Sequence, residues 1–136
     1  MKVILDCNIW ISFLLGKQHG LLKKVLTDMR FDVYVCRELL QEIADVACRD
    51  KIRKRVSEED LRQLFKIIDA YCCYEEISTK VVTGVRDPKD LYLLSFAQEI
   101  TADYIVSGDK DLTDLEYYQQ TKILKLAEFK DTFSFS

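Results

Sequence analysis

The stretch that decides the fold is residues 3–8, with the sequence VILDCN. Three consecutive apolar residues are typical of a strand buried on both faces of a parallel sheet, and Asp6 follows where that strand ends. Similar short runs of strand-forming residues occur further along the chain, at residues 32–36 (DVYVC), 104–106 (YIV), 122–125 (KILK) and, more weakly, 74–77 (YEEI). We therefore expect a parallel sheet of four or five strands, with Asp6 at the end of a central strand.

Apolar residues at helical spacing occupy the stretches between these strands, for example at residues 21–26 and 39–47. The clearest helix start is Ser57, because a serine followed by three acids satisfies free N–H groups and suits the positive end of a helix. Another helix is predicted to begin at Asp87, with a proline in its first turn, and to run through Ala97. Alternating strands and helices predict a parallel sheet flanked by helices.

Composition limits the class of protein. The 136 residues fit a single domain, which we place at residues 1–136, and 32% charged residues is an ordinary globular value. The net charge of −3 provides no general attraction for nucleic acid, so a local basic patch or a bound cation would have to supply it.

The cysteines and the apolar stretches indicate the compartment. Five cysteines without CxxC spacing favour a reducing environment over a disulfide framework or a zinc site. Only three apolar residues follow Lys2, which is too short a run for a secretion signal, and the longest apolar stretch, residues 9–15, is too short to cross a membrane. We expect a soluble, cytoplasmic protein without membrane contact.

Two acids directly follow predicted strands. Asp6 follows the first strand, and Asp109 follows the strand at 104–106 through a Ser-Gly pair in which Gly108 permits a tight turn. Ligands of open α/β sheets bind at the carboxyl ends of the strands, so these two acids are expected to share one crevice.

Two further acids, Glu42 and Asp90, border the apolar stripes of predicted helices that should face the sheet. Four carboxylates in one crevice repel one another, and a divalent cation would remove that conflict. Ligands that are all oxygen favour Mg²⁺ or Mn²⁺ over zinc or copper. Such an ion lowers the pKa of a bound water and stabilises a leaving oxygen, which permits phosphodiester hydrolysis without histidine.

Each acid also has a purely structural interpretation when it is taken alone. Asp6 could be a loop acid, Glu42 a solvated helix residue and Asp90 a first-turn acid favoured by the helix dipole. Asp111 is a further candidate metal ligand, although its simpler interpretation is as the cap of a helix that begins at Leu112. The joint order and placement of the set favour a metal site.

Four segments together resemble the motifs of the PIN-domain family. They are residues 6–12 (DCNIWIS), 37–43 (RELLQEI), 87–97 (DPKDLYLLSFA) and 106–112 (VSGDKDL), and they occur in the family's order over nearly the whole chain. Cys7 stands where the family usually has threonine. The nearest branch is that of the toxins of toxin–antitoxin pairs.

The resemblance implies a three-layer α/β/α sandwich and a ribonuclease that depends on Mg²⁺ or Mn²⁺. The implied metal ligands and catalytic acids are Asp6, Glu42, Asp90 and Asp109, and Asn8 and Ser107 match the family's polar supports for these acids. A homodimer and an antitoxin protein are the implied partners, besides the RNA substrate.

A dense basic segment precedes Ser57 and could bind RNA phosphates beside the acids. Its members are Arg49, Lys51, Arg53, Lys54 and Arg55. The alternative is that they form a solvated helix end. The single histidine, His19, rules out a two-histidine ribonuclease mechanism within one chain.

The sequence therefore predicts a metal-dependent endoribonuclease, with the toxin role favoured. Two alternatives stay open: a housekeeping RNA-processing nuclease, and a non-catalytic RNA-binding or protein-interaction module on the same fold. A phosphatase of the aspartyl-phosphate type is disfavoured, because it needs a second aspartate where Asn8 stands.

Overall fold

The sheet has six strands, and eight helices are found in the residues that the structure describes. The computed structural model describes residues 1–16, 19–78 and 88–135, and the side chains of His19 and of residues 88–90 lie outside this description. The strands are β1 (Lys2–Leu5), β2 (Asp32–Val35), β3 (Cys73–Tyr74), β4 (Tyr104–Val106), β5 (Tyr117–Tyr118) and β6 (Thr121–Leu124). The helices are α1 (Cys7–Gly16), α2 (His19–Thr27), α3 (Arg37–Ala47), α4 (Asp50–Arg53), α5 (Glu58–Tyr71), α6 (Pro88–Ile100), α7 (Lys110–Thr113) and α8 (Leu126–Phe133).

Five strands are parallel, in the order β3-β2-β1-β4-β6. Four match the main predicted strands, and β3 overlaps the weaker candidate at 74–77 only at Tyr74. Helices flank this sheet in a three-layer α/β/α sandwich, which confirms the predicted fold class. Strand β1 is central, and its register with β4 pairs Leu5 with Val106. The residues that follow these two, Asp6 and Ser107, therefore leave the sheet side by side.

The sixth strand, β5, was not predicted. It has only two residues and pairs antiparallel with β6 at the edge of the sheet. Two residues are too few to show a hydrophobic period. Gln119, in the turn that joins β5 to β6, has a positive φ of 53°, and Glu116, just before β5, has one of 62°. Non-glycine residues seldom adopt this conformation, so the sequence contains no turn signal here.

Helix α1 was also not recognised from the sequence. Six of its ten residues are buried, and it contacts α2, α3 and α5. A helix that is buried on most of its surface lacks a polar face, so its sequence shows no amphipathic period. By contrast, the predicted start of α5 is confirmed, because Ser57 and Asp60 form a reciprocal capping box with both hydrogen bonds at 3.0 Å.

Helix α6 packs against β1 through an apolar face that includes the buried residues Leu93, Leu94 and Ala97. The predicted stripe of this helix therefore faces the sheet. The predicted helix start at Asp87 lies outside the described residues, and the helix is described from Pro88 onward. Within the described part of the chain, no helix is both long enough and apolar enough to span a membrane.

Candidate active site

Asp6 lies where β1 passes into α1. Its N–H donates to the carbonyl of Val106 at 2.9 Å, and its own carbonyl accepts from the N–H of Ile9 at 3.0 Å. The residue is only 5% exposed, and Oδ1 accepts the N–H of Cys7 at 2.6 Å. The carboxylate is thus held at the N-terminus of α1, where free N–H groups and the helix dipole favour negative charge.

Ser107 connects Asp6 to Asp109. The serine is fully buried, and its Oγ donates to Oδ2 of Asp6 at 2.6 Å while it accepts the N–H of Asp109 at 3.0 Å. A single hydroxyl therefore orients one acid and fixes the backbone of the other. This is the kind of contact expected of a polar support.

Asn8 makes a second connection between the same two chain segments. Its Nδ2 donates to Oδ2 of Asp6 at 3.4 Å, and its Oδ1 accepts the N–H of Gly108 at 3.1 Å. Gly108 permits the turn, as predicted, but the turn does not use the conformational freedom that is special to glycine. Gly108 does not have a positive φ, and a Cβ at this position would lie 3.6 Å from Oδ1 of Asn8, an ordinary contact distance.

Asp109 is half-buried and caps α7. Its Oδ1 accepts the N–H of Asp111 at 2.9 Å, and the helix begins at Lys110. The interpretation of Asp111 as the cap of a helix beginning at Leu112 is therefore wrong, because Asp109 occupies the cap position. Asp111 itself is exposed.

Glu42 is half-buried on α3 and is joined to α6 by a contact that was not predicted. The hydroxyl of Tyr92 donates to Oε1 of Glu42 at 2.5 Å. The sequence offered one signal for this pair: a tyrosine stands among the leucines of residues 91–94, near the start of α6. A hydroxyl that is shielded from water usually has a hydrogen-bond partner, and only the tertiary structure identifies Glu42 as that partner.

The electrostatics connect three of the four predicted acids. The pKa of Asp6 is raised to about 6, first by burial and then by the negative charges of Glu42 and Asp109, although the hydrogen bonds from Ser107 and Cys7 act in the opposite direction. Burial, followed by the hydrogen bond to Glu42, raises the pKa of Tyr92, so its hydroxyl stays protonated at neutral pH. Glu42 and Asp109 are thus each close enough to Asp6 to disfavour its charged form.

The fourth predicted acid, Asp90, is in the first turn of α6, and its side chain lies outside the described part of the structure. Among the described side chains, no group of three or more His, Cys, Asp or Glu residues is compact enough to hold a metal ion by itself. Mg²⁺ retains several waters and uses only one or two carboxylates directly. The chemistry of the donors fits such an ion, because all are carboxylates and a cation would relieve the repulsion that raises the pKa of Asp6.

A groove of about 650 Å³ runs along α3 and includes Glu42 and Tyr92. Arg37 and Arg49, on either side of Glu42 in sequence, also line this groove. Arg49 is thus the member of the predicted basic segment that lines the same groove as a site acid. The other members, Lys51, Arg53, Lys54 and Arg55, are exposed, and Arg53 pairs with Glu58 at 3.3 Å.

Comparison with known proteins agrees with this fold. A family model described as the PIN domain matches residues 2–111. This match includes all four acids and most of the chain. The chain therefore belongs to the PIN-domain family. No curated protein matches the chain.

A solved structure shares the fold. It is the crystal structure of VapBC2 from Rickettsia felis bound to a DNA fragment from their promoter, and one of its chains superposes with a TM-score of 0.61. The identity is 14%, and the match covers 92% of this chain and 98% of that chain. At this identity the similarity establishes the fold, and it extends over nearly the full length of both chains.

Proposed function

We propose that this protein is an endoribonuclease that hydrolyses RNA phosphodiester bonds with the help of Mg²⁺ or Mn²⁺. The observation that carries the proposal is the environment of the Asp6 carboxylate. This carboxylate is buried, is held by three hydrogen bonds at the end of the central strand, and is repelled by Glu42 and Asp109. Membership of the PIN-domain family supports the same reaction, since PIN nucleases generally use divalent metals.

The residues that would hold the metal are Asp6, Asp90 and Asp109, with Glu42 nearby and Asp111 as a further candidate. When bound, the ion would supply an activated water and would stabilise charge on the leaving oxygen. Polar residues of the chain hold the acids in position. Ser107 and Asn8 orient one carboxylate oxygen of Asp6, and Ser107 also fixes the backbone of Asp109.

The RNA strand would be held beside these acids by the basic segment, Arg49, Lys51, Arg53, Lys54 and Arg55. Arg49 lines the groove that contains Glu42, so a phosphate bound there would lie next to the acids. Because the chain carries a net charge of −3, this local attraction would have to exceed a weak general repulsion.

We further propose that the nuclease is a cytoplasmic toxin component that forms a homodimer and is bound by an antitoxin protein. The similarity to a chain of the VapBC2 complex supports this role. Copurification of a protein encoded beside this one, with loss of RNA cleavage in the complex, is the expected result. An active nuclease that no neighbouring protein inhibits would instead favour a housekeeping role in RNA processing.

The deciding experiment is cleavage of a mixed RNA pool with Mn²⁺ and with EDTA. Asp6→Asn and Asp109→Asn should each lower the rate by about 100-fold or more, because asparagine keeps the shape of the side chain and removes the charge that holds the ion. The matched control is Asp69→Asn, which changes an exposed acid on α5 and should leave the rate unchanged.

Three results would refute the mechanism: cleavage that persists in EDTA, equal rates in Asp6→Asn and the wild type, or a similar loss in Asp69→Asn. RNA binding without any cleavage, measured by filter binding on the same pool, would favour the non-catalytic module. These readouts separate the two classes of function.

A further inference from the structure

The contact between Tyr92 and Glu42 joins two helices that are far apart in sequence. The residues are 50 positions apart, one on α6 and the other on α3, and the hydroxyl lies 2.5 Å from Oε1 of the carboxylate. Hydrogen bonds to a charged acceptor are shorter and stronger than those between neutral groups. A tyrosine is also a stiff donor, because only two side-chain torsions position its hydroxyl.

Glu42 needs such an anchor because it differs from the other acids of the site. Asp6 and Asp109 have short side chains at strand ends, and each is held by local backbone contacts. Glu42 is a longer side chain in the middle of a helix, and it borders a groove that also contains Arg37 and Arg49. Without an anchor, the carboxylate would be free to turn into this groove and away from Asp6.

We propose that Tyr92 is a positioning residue, whose hydroxyl holds Glu42 at the acid site so that its carboxylate contributes to metal binding. This inference rests on the proposed function. It assigns Tyr92 no contact with RNA or with the reacting atoms, since the residue acts through Glu42. Tyr92→Phe removes the hydroxyl alone and keeps the aromatic ring.

The chain contains a matched control. Tyr118 on β5 also donates its hydroxyl to a side chain of α6, Oε1 of Gln98, at 3.2 Å. Tyr118→Phe therefore removes the same atom and a hydrogen bond to the same helix, at a contact that does not involve an acid of the site. A general effect of losing a tyrosine hydroxyl would appear in both variants.

The primary measurement is Mn²⁺ affinity by calorimetric titration, with the thermal midpoint recorded for each protein. We expect Tyr92→Phe to weaken Mn²⁺ binding by about tenfold, the scale seen when a partner of a metal ligand is removed. Tyr118→Phe should bind as the wild type does. In the Glu42→Ala background, Tyr92→Phe should have no further effect, because the group that the hydroxyl positions is gone.

RNA cleavage provides a second readout, in which Tyr92→Phe should lower kcat and leave KM near the wild-type value. Unchanged Mn²⁺ affinity in Tyr92→Phe, an equal loss in Tyr118→Phe, or an additive effect in the Glu42→Ala background would overturn the positioning role alone. A Tyr92→Phe protein that does not fold would assign the hydroxyl a structural role and would also overturn it. A wild-type protein that binds no Mn²⁺ would overturn the proposed function and this inference with it.

Discussion

At the scale of single residues, the burial of Asp6 opposes the negative charge that its proposed role in metal binding requires. A carboxylate that is 5% exposed would rather be neutral, and two neighbouring acids strengthen that preference. The hydrogen bonds from Ser107 and Cys7 favour the charged form and offset the burial in part. The result is a carboxyl group whose pKa is raised to about 6. A cation bound beside it, as we propose, would favour the charged form.

The metal-free protein should therefore become less stable as Asp6 ionises. Its pKa is about 6 in the folded protein, against an ordinary value of 3.8 in the unfolded chain, so the folded state binds the proton more tightly. The stabilisation is fully present below about pH 4 and is lost as the pH rises through 6, with an upper limit of about 3 kcal/mol. Urea denaturation in EDTA at pH 4, 5, 6 and 7 measures this loss.

Asp6→Asn supplies the reference for that measurement, because it has no proton to lose at this position. The difference in free energy of unfolding between the variant and the wild type should shift in favour of the variant between pH 4 and pH 7. A difference that stays constant over this range would show that Asp6 has an ordinary pKa.

At the scale of secondary-structure elements, Ser107 connects the ends of β1 and β4. Ser107→Ala should weaken Mn²⁺ binding by about tenfold, because Oδ2 of Asp6 loses its shortest hydrogen bond. It should also lower the free energy of unfolding by about 1–3 kcal/mol, since the N–H of Asp109 loses its acceptor.

The control for this prediction is Thr121→Val. Thr121 is a buried hydroxyl at the start of β6, and its Oγ1 donates to the carbonyl of Ala102 at 2.7 Å. Both variants should lose stability, and only Ser107→Ala should lose metal affinity. Equal Mn²⁺ affinities in the two proteins would show that Ser107 is structural only.

At the scale of the whole molecule, an acidic protein must bind a polyanion through a local patch. Replacing both Arg49 and Lys51 with glutamine should weaken RNA binding. The slope of log affinity against log salt concentration should also become less steep, by about 0.7 for each phosphate that the protein no longer neutralises. Filter binding at several salt concentrations measures the slope.

The control is Lys66→Gln, which changes an exposed lysine on α5. An unchanged slope in the double variant would exclude the basic segment from RNA binding.

The sequence alone determined the parallel sheet, the central place of Asp6 and the location of Asp6 and Asp109 at the same edge of the sheet. These follow from local patterns, because buried strands and capped helices each need a characteristic run of residues. Asp6 and Asp109 could be assigned to one crevice for the same reason: in a parallel sheet, all strands end at one edge. The family motifs led to the same acids, and residues 2–111 match the PIN domain.

Only the tertiary structure decided how those acids are held. The hydroxyl of Ser107 reaches an acid 101 positions away, and that of Tyr92 reaches Glu42 across 50 positions. No local pattern encodes such pairs, because they depend on the register of β1 with β4 and on the packing that brings α3 and α6 together. Helix α1 and strand β5 were not predicted for a related reason. A helix buried on most sides and a two-residue strand show no hydrophobic period in the sequence. Periodicity reports which face of an element is buried, whereas a hydrogen-bond partner depends on where two elements meet.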